Sequence, residues 1–217
     1  MSRSQGQHAG LDARAIRRAA IKLADTDGLS ALSMRRLGAE LGVEAMALYH
    51  HFPNKEALLD GVVEELAAGT PVPALNHRNW QDRLRAYTRS QLANLAAHPN
   101  LVPLFLSRPA VTEQNLQMME RLLESLGKAG FPPGRALDIV YALNALILVH
   151  AALGAGTGGA PSPHGDAGQN SRLADLPADT YPLLTKAARA SRNRGPTARF
   201  EFTLDALLAG FSEANDP

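Results

Sequence analysis

The 217-residue chain has no cysteine, which excludes disulfides, thiolate nucleophiles and zinc–thiolate sites. Aromatic residues make up only 5%, while alanine and leucine abound, so strands are disfavoured and helices favoured. Neither sign of charge dominates: 22 Lys and Arg against 21 Asp and Glu leave a formal net charge of +1, which excludes a polycation. The opening MSRSQGQHAG lacks the apolar centre of a signal peptide. The most apolar run, Ile139 to Leu153, is interrupted by Tyr141, Asn144 and His150 and is too short to span a bilayer. A soluble, cytoplasmic protein with no membrane partner is the expectation, and a hydrophobic content of 45% is enough for a real core.

Catalytic motifs are also missing. The glycine-rich Gly154-Ala155-Gly156-Thr157-Gly158-Gly159 follows a helical pattern rather than a strand and lacks the lysine of a phosphate loop. The carboxylates are scattered over polar faces. His50-His51 point apart on a helix and have no third ligand nearby, so no metal site is expected. No catalytic residue and no cofactor are expected.

What the chain does carry is a distinctive stretch at 33–56, SMRRLGAELGVEAMALYHHFPNKE. Ser33 is a good N-cap, and Leu32 and Leu37 can form a hydrophobic staple across it. Leu37 and Leu41 give the helix that follows one apolar stripe, and Gly42 ends it. A short helix from about Glu44 to His51 then shows Ala45, Met46, Ala47, Tyr49 and His50. A short helix fixed by a glycine turn and presenting small, aromatic and imidazole groups suits the DNA major groove. Charge supports this locally. Residues 1–36 hold seven Arg and Lys (Arg3, Arg14, Arg17, Arg18, Lys22, Arg35, Arg36) against Asp12, Asp25 and Asp27. Phosphate binding needs such a local excess.

Along the chain, residues 1–10 read as a flexible arm. Asp12 caps a first helix running to about Thr26, with Ile16, Ala20, Leu23 and Ala24 as its apolar face. Asn54 caps a fourth helix with Leu58, Leu59, Val62, Val63 and Leu66 inward. Gly69-Thr70-Pro71-Val72-Pro73 marks a boundary. Further helices are expected over Trp80–Ala97, near Leu101–Leu106, over Thr112–Ala129, Ala136–Leu153 and Thr180–Arg192, and over Thr197–Glu213. Ala136–Leu153 is apolar almost all round and should be buried on most sides. Residues 154–172 have little to bury and read as a mobile loop.

Residues 11–66 resemble the tetracycline-repressor (TetR) family of transcriptional regulators. The resemblance rests on Ile16, Ala20, Gly28, Ser33, Arg35, Leu37, Leu41, Gly42-Val43, Leu48-Tyr49, His51-Phe52 and Asn54-Lys55-Glu56-Ala57-Leu58. Trp80, His98-Pro99, Ser107-Arg108-Pro109, Ala129-Gly130-Phe131 and the final FEFTLDALLAGF match the C-terminal part in order. The resemblance implies an all-α fold. A three-helix helix-turn-helix head at 11–69 precedes a larger ligand-binding and dimerisation part at 70–217. It implies a homodimer on a palindromic double-stranded DNA operator, released by a small-molecule effector. A helical protein-binding adaptor, or an enzyme, is the competing reading.

The same resemblance places Ser33, Arg35, Ala45, Met46, Ala47, Tyr49, His50, His51 and Lys55 at the DNA. Tyr49 and Lys55 fall at phosphate-contacting positions, and Ala45, Met46 and Ala47 where bases are read. Glu44 departs from the Ser or Thr cap and brings a negative charge. The pocket is expected from Tyr87, Gln91, Leu104, Phe105, Met118, Leu122, Tyr141 and Asn144. The dimer interface is expected from Leu146, Val149, Phe200, Leu204, Leu207 and Phe211. Tetracycline-binding members hold a drug–magnesium complex through a histidine before the Arg-Pro pair. Here Leu101–Leu106 offers neither histidine nor carboxylate, so a more apolar effector is expected.

Overall fold

The computed structural model describes residues 11–69, 79–108, 113–155, 166–192 and 194–213. The expected arm at 1–10 and the boundary segment 70–73 lie outside them. Among the described residues there is no strand, and the all-α architecture holds. Two units emerge: Met1–Pro71 with Asn100–Met118, and Val72–Pro99 with Met119–Pro217. Residues 100–108 thus pack with the N-terminal helices.

In the first unit, α1 (Ala13–Asp27) starts where the Asp12 carboxylate accepts a hydrogen bond from the Ala15 N–H at 2.6 Å. It stops at Gly28, whose φ of 83° suits glycine. Its buried residues are Ile16, Ala20, Leu23 and Ala24, one face at helical spacing. After a single 3-10 turn at Leu29–Ala31 come α2 (Met34–Leu41), α3 (Ala45–Tyr49) and α4 (Lys55–Gly69). Leu58, Leu59, Val62, Val63 and Leu66 of α4 are all buried. A short helix, α6 (Val102–Ser107), adds Leu104, preceded by Leu101, to the same core.

The second unit contains α5 (Trp80–Ala97), α8 (Pro133–Ala155), α9 (Asp166–Ala174), α10 (Pro182–Ala190) and α11 (Pro196–Glu213); α7 spans Glu113–Lys128. Asn79 caps α5 by accepting from the Asp82 N–H at 2.8 Å. Two expectations need correction. Residues 166–172 are helical rather than loop, because α9 packs against α10, burying Ala174, Thr185 and Ala188. And α8 is longer than expected, with Pro133–Gly154 long and apolar enough by composition to cross a bilayer. Its inner side (Ile139, Val140, Leu143, Ile147) is buried and it packs against α5 and α11, but Tyr141, Val149 and Leu153 are exposed. Burial on most sides is therefore not reached within one chain.

Candidate nucleic-acid interface

The geometry of α2 and α3 follows from two glycines. Gly42 adopts φ 68°, ψ 27°, the left-handed conformation that reverses the chain after α2. Gly38 allows a close approach: a Cβ there would stand 2.8 Å from the Val43 carbonyl oxygen and 3.2 Å from the Ala45 nitrogen. The Val43 N–H donates to the Gly38 carbonyl at 2.9 Å, so the turn is fastened to the residue that makes room for it. Ser33 caps α2, its Oγ accepting from the Arg36 N–H at 3.2 Å.

At five residues, α3 is too short to stand alone and depends on its docking. Leu48, fully buried beside Leu37 in the first unit's core, supplies it. The Phe52 N–H returns to the Leu48 carbonyl at 2.9 Å, and Phe52 closes the core. With Leu48 inward, the rest of α3 faces out. Met46 is 70% exposed and Tyr49 44% exposed, and His50 and His51 are exposed as well. Met46 is therefore a surface residue, and Ala45 and Ala47 are half-buried beside it.

The cations divide into bound and unbound. Arg36 pairs with Asp27 and Lys22 with Glu40. Arg35 and Lys55 make no ion pair among the described residues, and neither do His50 and His51. Behind them, Glu65 of α4 binds three arginines of α1: Arg14 and Arg17 at 3.1 Å and Arg18 at 3.4 Å. Gly61 lets Arg17 cross α4, since a Cβ there would meet its Cδ at 2.9 Å. Burial pushes the Glu65 carboxyl up, but hydrogen bonds and charge from Arg14 and Arg17 outweigh it and hold it below its ordinary 4.5. Beside α3, Leu11, Glu44, Ala47, His50 and His51 line an open depression of about 440 Å³. Among the described residues, no group of three or more His, Asp or Glu is placed to hold a metal ion.

The contacts of two residues, Asn100 and Arg108, are not encoded in local sequence. The Asn100 side-chain N–H donates to the carbonyls of Ala24 at 3.1 Å and Asp25 at 3.0 Å, at the end of α1. Arg108 pairs with Glu56 and Asp60 of α4. Segment 100–108 is thus pinned to the head at both ends. Arg108-Pro109 was visible as a motif, but nothing local names its partners.

The expected pocket residues fall in both units. Leu104 and Phe105 lie in or against the first unit's core, and Met118 is buried. In the second unit Leu122 is fully buried, Gln91 is half-buried and Tyr141 is 57% exposed. The Tyr87 hydroxyl donates to Asn144 Oδ1 at 2.7 Å, and burial raises the phenol pKa to about 12. The expected interface residues also divide. Phe200 and Leu204 are buried within the second unit, Phe200 against the His150 ring, and have no surface left for a partner. Val149 is exposed, and Leu146, Leu207 and Phe211 are half-buried. The large exposed apolar residue of α11 is Phe202.

Residues 16–62 match the family described as bacterial regulatory proteins, tetR family, and residues 72–214 match the tetracyclin repressor-like C-terminal domain. The chain is 31% identical over 146 residues to the HTH-type transcriptional repressor DrrR1 of Streptomyces coeruleorubidus, covering 67% of this chain but 54% of that one. It therefore spans about half of that relative's length. It is 29% identical to the class A tetracycline repressor protein from transposon 1721 of Escherichia coli, over 94% of this chain and 91% of that protein. Among solved structures, ActR of Streptomyces coelicolor in complex with actinorhodin superposes with a TM-score of 0.83 at 28% identity, covering 95% and 97% of the two chains.

Proposed function

The chain belongs to the TetR family of transcriptional regulators, and from that premise we propose that it is a homodimeric repressor released from a palindromic operator by a largely apolar small molecule. It is a DNA-binding regulator of transcription. One observation carries the reading. Within α3 only Leu48 is buried, while Met46, Tyr49, His50 and His51 are turned to solvent and the cations Arg35 and Lys55 make no ion pair among the described residues. Arg35 has the planar fork that pairs with guanine acceptors. Tyr49 donates its hydroxyl to a phosphate, and Lys55 contributes charge. Ser33 adds a hydroxyl at the start of α2. Ala45, Met46 and Ala47 offer apolar contacts to thymine methyls. The chemistry is binding rather than catalysis, and it takes place in the cytoplasm, where the DNA is.

The dimer is supported by the exposed apolar face of α8 and α11: Tyr141, Val149, Leu153 and Phe202, with Leu146, Leu207 and Phe211 at its margin. The effector is supported by ActR, which holds actinorhodin. Tyr87 and Gln91, one turn apart on α5, and Asn144 are the polar groups to orient it, with Leu122 as apolar wall. Likeness to tetracycline repressors does not extend to a drug–metal site, because Leu101–Leu106 has no group to ligate one. The ligand acts on the head by favouring one form of the body, which requires different affinity for the two forms.

Selection from random duplex DNA with the intact protein tests this. Recovery of a two-fold symmetric site, bound with affinity that falls steeply with salt, is the expected result. Recovery of no enriched sequence would refute it.

A further inference from the structure

Glu44 has no evident task in the fold. It directly precedes α3, yet its side chain caps no backbone N–H. It is exposed and makes no hydrogen bond or ion pair with any described residue. It lines the depression beside α3 together with Leu11, Ala47, His50 and His51. An unpaired carboxylate on a surface that approaches phosphates repels them, unless the bound DNA offers it a donor.

Duplex DNA offers such donors in the major groove at two places, the N4 amino group of cytosine and the N6 amino group of adenine. An ionised carboxylate only accepts, so it pairs with either and is repelled by the acceptors of guanine and thymine. Cytosine is the better fit. Adenine sets its N7 lone pair beside its amino group, facing the second carboxylate oxygen, whereas cytosine sets a C–H there. The side chains that follow on α3, Ala45, Met46 and Ala47, carry no polar hydrogen-bonding atom that competes for the base. In the same lining, His50 and His51 can donate to the N7 and O6 acceptors of the paired guanine. An acceptor and donors thus line one concave surface, complementary to the edge of a C·G pair.

We propose that Glu44 is a specificity-determining residue that accepts a hydrogen bond from the N4 amino group of an operator cytosine, the depression receiving the edge of that base pair. The inference rests on the reading of α3 as the groove-entering helix. Where a residue of opposite charge would raise affinity for all DNA, Glu44 lowers it for all sites except those with a donor in the right place.

The test is parallel selection from random duplex DNA with the full chain as wild type, E44Q and E44A. The wild type should enrich a symmetric site with one invariant C·G pair in each half. E44A should lose about tenfold in discrimination at that pair alone, the usual scale for one good base contact. It should also bind random DNA more tightly, having lost a negative charge. E44Q should shift the preference at that position toward adenine, since a carboxamide pairs with adenine N6 and N7 together. Preferences unchanged at every position in both variants overturn the assignment while leaving the regulator reading intact. Failure of the wild type to enrich any symmetric site overturns both. Melting curves for the three proteins should coincide, because the side chain is exposed and unpartnered.

Discussion

The two units of this chain expose opposite kinds of surface. In the head, the exposed groups on and around α3 are hydrogen-bonding or cationic: Arg35, Tyr49, His50 and His51, with Met46 among them and Lys55 half-buried. In the body, the exposed residues of α8 and α11 include four large apolar ones, Tyr141, Val149, Leu153 and Phe202. Each surface suits the partner proposed for it. A polyanion is met by donors and charge, and a second copy of the chain by apolar area that water leaves at little cost. The interior of both units is built alike, from leucine-rich helix faces, so the division of labour lies in what is left outside.

Four changes would break or sharpen that contrast. The largest effect is expected from Gly38→Val. The new side chain meets the Val43 carbonyl and the Ala45 nitrogen, so α3 must leave its angle to α2. Operator binding should fall at least a hundredfold in a gel shift while circular dichroism stays helical. Next is Phe202→Asp combined with Val149→Asp, which charges the body's exposed face. Sedimentation should show monomers. An unchanged dimer would move the interface elsewhere.

Glu65→Gln comes third. The folded carboxyl titrates below its ordinary 4.5, so its ion pairs stabilise the head above that value. Their contribution disappears as pH falls through the lowered value. The variant should lose about 1–2 kcal/mol at neutral pH by denaturant unfolding. The gap to wild type should close in acid. The smallest effect is expected from Lys55→Ala with Tyr49→Phe. Binding should weaken alike on all sequences, and the salt slope should drop by about one. Loss of discrimination at particular bases would instead make these residues readers.

Local chemistry made much of the head legible. Asp12, Ser33 and Asn54 cap helices through backbone N–H groups three residues on. Gly28 and Gly42 end them with positive φ. The buried residues of α1 and α4 follow from period alone. The outward set on α3 follows because only Leu48 is buried there.

The body was less legible, for a physical reason. A helix apolar on every side, such as α8, does not declare which face meets its own chain and which meets solvent. The same holds for α11, where Phe200 and Leu204 turn inward and Phe202 outward. The helix at 166–174 has little apolar content of its own and exists through its packing on α10. Arg108 and Asn100 find partners 48 to 76 residues away, a pairing that no spacing encodes. Glu44 reads only as a misplaced charge until the depression brings it into one lining with two imidazoles.

The absence of cysteine allows a direct test of the central claim, that α3 enters the groove. Met46→Cys can be labelled at that single position with an iron-chelate cleavage reagent and bound to the selected site. Cleavage confined to two symmetric clusters, one per half-site and about one helical turn or a multiple of it apart, is the predicted result. Cleavage spread evenly along the duplex, or none while the protein remains bound, would contradict it.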